Sequence, residues 1–309
     1  MTSALVALAL ACDATPISGV PSAGLAPREN VQRHHYAINA RVRPLLLFWI
    51  SRSDVGDAVV TRRQGPNESD YSLLIGSDPD RAPRRINRWG YIDEEIHGSN
   101  ATLVGLMTES DEDSIEQAEA NIRKPVGDRT FKIIRATIDG DRAESVVTSI
   151  SSPADYSFRH IRTVLDLAQS QSSQGRTRVI RLPSGTRPGF LVALAELVHT
   201  QVDQWRASGR VQPGGPTAYV YHGRIYELAV TRTQPLASIR VGGTAYTRVI
   251  TSQFEIKNTY DGGLTQFSMT YGADGRFAET PLAASYQPRW WLRIELALDD
   301  TTNGPALAR

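Results

Sequence analysis

The chain has 309 residues, 40% of them hydrophobic, with 34 Lys and Arg against 33 Asp and Glu, a formal charge of +1 at pH 7. That balance offers no diffuse attraction to nucleic acid or to an anionic membrane surface, and the length suits one large domain or two modest ones. A single cysteine, Cys12, excludes an intramolecular disulfide and any zinc site built on paired cysteines.

Residues 1–12 contain the apolar run Ala4-Leu5-Val6-Ala7-Leu8-Ala9-Leu10-Ala11, followed at once by Cys12. An apolar stretch closed by small residues is the pattern of an export signal. A cysteine directly after it looks like a bacterial lipobox, in which Cys12 becomes the lipidated first residue of the mature chain. The run departs from that pattern at Ala9, where a larger aliphatic residue is preferred, and in Met1-Thr2-Ser3, which has no basic residue. A plain cleaved signal and a buried helix with a chance cysteine are the alternatives. The run is far shorter than the roughly 20 residues a spanning helix needs, and no other segment reaches that length. Residues 13–33, rich in Ala, Pro, Ser and Gly, read as a flexible tether. One folded α+β domain is expected over 34–300, with a tail at 301–309.

Within that domain, 34–150 reads as mixed β with one helix. Tyr36, Ile38, Ala40 and Val42 alternate with Asn39, Arg41 and Arg43, the pattern of a half-buried strand. The run Leu45-Leu46-Leu47-Phe48-Trp49-Ile50 reads as a strand buried on both faces. Short strands are expected at 58–62, 71–75, 88–94 and 101–107, separated by turn formers such as Gly65-Pro66-Asn67. Ser110, with Asp111, Glu112 and Asp113 behind it, starts a helix that runs to about Lys124. Strands 131–138 and 144–150 flank the turn Asp139-Gly140.

Residues 151–212 read as a helical insertion. One helix opens at Ser152-Pro153 and carries Phe158, Ile161, Val164, Leu165 and Ala168 at helical spacing. After a strand at 177–182, another helix runs from about Pro188 to Gly209 and buries Phe190, Leu191, Leu194, Leu197, Val198 and Trp205. Gln212-Pro213-Gly214-Gly215-Pro216 is the clearest break. Beyond it, 217–299 reads as a curved antiparallel β-meander. Phe254 and Ile256 share one face, as do Phe267, Met269 and Tyr271. A last strand over 289–298 turns Trp290, Leu292, Ile294, Leu296 and Leu298 inward and Trp291 outward. The expected whole is mainly antiparallel sheet with about three helices on one face.

No catalytic motif stands out. The six histidines, His34, His35, His97, His160, His199 and His222, include no pair at zincin spacing. The acidic run at Asp111 lacks the glycine of a calcium loop and is accounted for by the helix dipole. No metal or cofactor is therefore expected. Tyr286, Arg289, Trp291 and Arg293 form the most unusual local composition, an aromatic and guanidinium mix suited to an anionic or amphipathic ligand.

The stretches Tyr219-Val220-Tyr221-His222-Gly223-Arg224-Ile225-Tyr226-Glu227-Leu228, Phe254-Glu255-Ile256-Lys257-Asn258, Phe267-Ser268-Met269-Thr270-Tyr271-Gly272 and Tyr286-Gln287-Pro288-Arg289-Trp290-Trp291-Leu292 resemble bacterial exported proteins of unknown function. The resemblance covers 218–299 and implies an exported, β-rich protein, without a reaction. The combined expectation is an extracytoplasmic cell-envelope protein held to a membrane through Cys12. It would be non-enzymatic, binding or carrying an apolar or amphipathic ligand such as a lipid, with no nucleic-acid partner. Two other functions stay open: a hydrolase whose site is assembled from dispersed residues, and a structural or assembly component of the envelope. The oligomeric state is left open.

Overall fold

The computed structural model describes residues 30–43, 49–82, 85–108, 129–153, 155–170 and 175–300. Cys12, most of the expected tether, Leu45–Phe48, the helix expected from Ser110 to Lys124 and the 301–309 tail lie outside the described residues.

Fourteen antiparallel strands make one sheet among the described residues. Strands β1 (Asn30–Val42), β2 (Ile50–Gln64), β3 (Glu68–Ser77), β4 (Trp89–His97), β5 (Asn100–Thr108), β6 (Arg129–Asp139), β7 (Arg142–Ser152) and β8 (Arg176–Arg181) lie side by side in chain order. So do β9 (Thr217–Tyr221), β10 (Arg224–Val241), β11 (Thr244–Asn258), β12 (Leu264–Gly272), β13 (Pro281–Arg289) and β14 (Leu292–Leu298). The two runs join where β14 pairs with β1, from Tyr36↔Leu298 to Val42↔Leu292. From β1 in the middle of the sheet the described strands thus run outward to β8, cross to β9 and return to β14. The crossing brings the two ends together: the Arg187 N–H donates to the Ala218 carbonyl at 2.8 Å, and the Val220 N–H to the Arg187 carbonyl at 3.0 Å. β1 begins at Asn30, inside the segment read as tether, because Asn30 to Arg33 pair with Gln64 to Thr61 of β2.

Two of the expected helices are described, the third lying outside the described residues, and these two pack on opposite faces rather than one. α1 (Ile161–Ser170) follows a 3-10 turn at Phe158–His160. Its Val164 and Ala168 join Trp89, Leu106, Phe131, Ile133 and Ile150. α2 (Phe190–Ser208) joins a larger core with Tyr71, Leu73, Ile92, Phe254 and Phe267. On β4, Trp89 and Ile92 differ by an odd number of positions, so the clusters they belong to lie on opposite sides of the sheet.

The reading of α2 holds at its C-terminal end, where Gly209 takes φ 67° and its N–H reaches the Trp205 carbonyl at 2.7 Å. β12 alternates as expected, with Phe267, Met269 and Tyr271 buried. The expected strand over 289–298 is instead the end of β13, a turn at Trp290-Trp291, and β14. β13 itself was not foreseen. Trp49 and Ile50, read as doubly buried, are exposed.

β10 and β11 are the long strands of the C-terminal half. β9 pairs with β10 only over Arg224–Leu228, so the rest of β10 presents an edge. Pro235 sits in that edge, where its missing N–H removes no ladder bond to a further strand and blunts the edge against pairing. The hairpin closes at Val241↔Thr244 through Gly242 and Gly243, both at positive φ (55° and 88°), the geometry of a two-residue hairpin turn.

Candidate ligand-binding site

The distal half of the β10–β11 hairpin extends past the last pair with β12, Val249↔Gly272, and comes back against β1, β12, β13 and β14. A groove of about 310 Å³ lies between them. Its floor is two rows of short side chains running straight across the strands. Asn39, Glu295, Ser285 and Ser268 make one row. Ala297, Ala283 and Thr270 make the next. Along each strand these rows alternate with Leu296, Ala284 and Met269, which are buried in the α2 core, while Ala283, Ala297 and Ile239 are only partly buried against the same cluster. Ile239, Arg240 and Gly242 of the hairpin supply the other wall.

The floor is held in place by polar contacts. Arg41 Nε donates to Glu295 Oε2 at 3.0 Å, Arg293 Nε donates to Ser285 Oγ at 2.7 Å, and the same Nε lies 3.3 Å from Glu295 Oε1. Asn39 Oδ1 accepts from the Asp54 N–H at 2.9 Å, and Thr270 shares a hydroxyl hydrogen bond with Thr251 at 2.8 Å. Small residues leave the space; Arg240 and Glu295 are its charged lining residues, and Arg41 and Arg293 stand beside it, paired with Glu295. A ligand with an apolar part against Ile239 and the alanines and an anionic or polar part against the arginines would match this lining.

The four residues singled out in the sequence do not form one surface. Tyr286 points into the α2 core and is buried. Trp291, read as outward, is 7% exposed, while Trp290, read as inward, is 49% exposed. The reason is a register shift between Tyr286 and Arg289 followed by the two-residue turn, which moves the alternation by one residue. Arg289 ends β13 beside that turn. Arg293 alone of the four contacts the groove floor. The inward faces of the C-terminal strands are occupied by α2 and by stacked aromatics: Phe254 on Phe267 at 4.9 Å, and Tyr219 on Tyr226 at 5.5 Å.

Among the histidines, His160 Nδ1 accepts from the Ser157 N–H at 3.1 Å and lies 3.4 Å from Ser157 Oγ, a pairing that caps the turn before α1. His199 Nδ1 lies 2.7 Å from Glu279 Oε1 and its Nε2 3.2 Å from Asp203 Oδ2, so both ring nitrogens face carboxylates and neither faces a hydroxyl or thiol. Glu279 also accepts from Arg62 at 3.1 Å. This chain of charges ties α2 to the segment after β12. His222 is pushed down to about 4 by burial, then by Arg224, Arg178 and Lys132. On β4, burial raises Asp93 to about 6 and Glu94 to about 7, but adjacent strand residues point to opposite faces and cannot act as a pair. Among the described residues, no three His, Cys, Asp or Glu side chains gather as a metal set, and no helix is long and apolar enough to cross a membrane. No family model matches the chain, and neither a curated protein nor a solved structure matches it.

Proposed function

We propose that the chain is an exported, lipid-anchored protein of the bacterial cell envelope that binds an amphipathic small molecule without transforming it. The observation that carries this reading is the groove under the β10–β11 hairpin, with a floor of Ser, Thr, Ala, Asn and Glu side chains, Arg240 on its wall, and Arg41 and Arg293 held at its edge by Glu295. In this reading the C-terminal strands are a curved meander whose longest hairpin bends over its own later strands and covers the ligand. The Cys12 signal supplies the anchor, and the two carboxylates around His199 favour a structural role for the histidine over a hydrolytic one. Arg293 and Arg240 would receive the ligand's anionic part, and Ile239 its apolar part.

A fluorescent probe of matching chemistry, 1-anilinonaphthalene-8-sulfonate, tests this. The folded chain is expected to bind it saturably at one groove. Ala283→Trp, which fills the floor, should weaken that binding by about tenfold, ~1.4 kcal/mol, with circular dichroism and the cooperativity of unfolding unchanged. Equal binding by Ala283→Trp would remove the groove from consideration.

A further inference from the structure

A second surface lies at one end of the β1–β14 seam. There β1 closes and β2 opens beside the β13–β14 turn: Val42 pairs with both Ile50 and Leu292, and the Arg43 N–H donates to the Trp291 carbonyl at 2.8 Å. Trp49, Ile50 and Trp290 are exposed by 38, 44 and 49%. They are three of the seven large hydrophobic residues exposed among the described residues, and they share one end of one seam. Two indoles and an isoleucine left in water at one place call for a partner.

The surrounding charge identifies its kind. Residues 40–53 and 286–294 contain Arg41, Arg43, Arg52, Arg289 and Arg293, and no Asp or Glu. Glu295, on the adjoining part of β14, bridges Arg41 and Arg293, and Asp54 directly follows the first of these stretches, so the local excess is smaller than the count of arginines. The Arg43 guanidinium stands 6.0 Å from the centre of the Trp49 ring, so cation and indole are presented together. The whole-chain charge of +1 conceals this local excess.

We propose that this end of the seam is a membrane-docking face, at which Trp49, Ile50 and Trp290 enter the headgroup boundary of an anionic bilayer while the arginines pair with lipid phosphates. Indoles prefer that boundary, where an apolar ring and a polar N–H are both satisfied. Guanidinium forks match phosphate oxygens. A cationic ring around exposed apolar side chains is the composition that binds anionic lipid surfaces. A second copy docked through the same patch would bring arginines against arginines across a twofold axis, which the charge opposes. The face adjoins the groove floor at Arg41 and Arg293, but Trp49, Ile50, Trp290, Arg43 and Arg52 lie outside the groove lining, and the face requires neither a groove ligand nor an acylated Cys12.

Vesicle sedimentation tests it with the full chain carrying Cys12→Ser, so that no acyl chain contributes. The chain is expected to sediment with vesicles of phosphatidylglycerol and phosphatidylethanolamine, far less with pure phosphatidylcholine, and less as salt rises. Brominated phosphatidylglycerol should quench part of its tryptophan emission. Trp49→Ser/Trp290→Ser and, separately, Arg43→Gln/Arg52→Gln should each lower the partition by about tenfold, with unchanged circular dichroism and unfolding midpoint, and the Trp pair should lose the quenching. No sedimentation of the Cys12→Ser chain, or partition unchanged in both variants, would overturn the proposal. So would a concentration-dependent dimer that Trp49→Ser/Trp290→Ser dissolves in the absence of vesicle binding.

Discussion

Gly189→Ala is expected to destabilise the fold by about 2–4 kcal/mol, by displacing a buried carboxylate rather than by straining the glycine. Gly189 precedes α2 with φ −162°, an extended conformation open to any residue. It makes no side-chain cap, and the first N–H groups of the helix are satisfied from elsewhere. Glu94 of β4, fully buried, accepts from the Leu191 N–H at 2.9 Å and the Val192 N–H at 3.0 Å. A Cβ on Gly189 would overlap the Glu94 carboxylate. Glu94→Ala should cost about 3–5 kcal/mol, because it strands helix N–H groups in a dry core. The two effects share one cause, so the double variant Glu94→Ala/Gly189→Ala should be less destabilised than the sum by more than ~1 kcal/mol. Additive losses in a denaturant-unfolding cycle would contradict this.

The same carboxylate gives a pH signature. Burial is the main influence and lifts its pKa from the usual 4.5 to about 7, against the opposing pull of the Leu191, Val192 and Phe190 N–H groups. Between those values the folded chain holds a proton that the unfolded chain has released, so Glu94's contribution is fully present below about 4.5 and is lost as pH rises through 7. Glu94→Gln, which does not titrate, should flatten that part of the stability curve. Unfolding midpoints compared at pH 5 and pH 8 read the difference. A slope that Glu94→Gln leaves unchanged would assign the titration to other groups.

Phe158→Ala should cost about 3–5 kcal/mol, the range for emptying a large buried aromatic site. Phe158 has no exposed surface, and it presses on β3 at Gly76, where a Cβ would meet its ring and leave only 2.7 Å to Trp89 Cβ. It also starts the turn leading into α1, which joins the sheet through the cluster that includes Trp89 and Phe131, whose rings are 4.9 Å apart. Removing Phe158 should therefore loosen α1 ahead of the rest. Amide exchange over 161–170 should accelerate well beyond that of α2, and uniform acceleration in both helices would contradict a separate outer cluster.

How much of this was legible in the sequence depends on how local each signal is. β12 and the end of α2 were readable because alternation at Phe267, Met269 and Tyr271 and a left-handed Gly209 are properties of a few neighbouring residues. β13 was missed because Ala283, Ala284 and Ser285 carry little hydrophobic contrast and prolines stand near both its ends. The Trp290 and Trp291 orientations were exchanged because a bulge and a turn shift the phase by one residue, and alternation alone does not register either. Glu94 sits in Asp93-Glu94-Glu95, which reads as a solvated face, and its partners are 97 and 98 residues away. The groove has no motif at all, because it arises where β10 meets strands that follow it by dozens of residues. Arg293 was picked out for its aromatic neighbours, yet it contacts the groove through Ser285 and Glu295.

Native mass spectrometry of the protein released from the envelope fraction of a bacterial host, wild type beside Ala283→Trp, tests the binding account most directly. The account predicts a mature chain beginning at an acylated Cys12, carrying a small amphipathic molecule that Ala283→Trp has lost. An unacylated full-length chain recovered bare from the soluble fraction, identical in both forms, would contradict it.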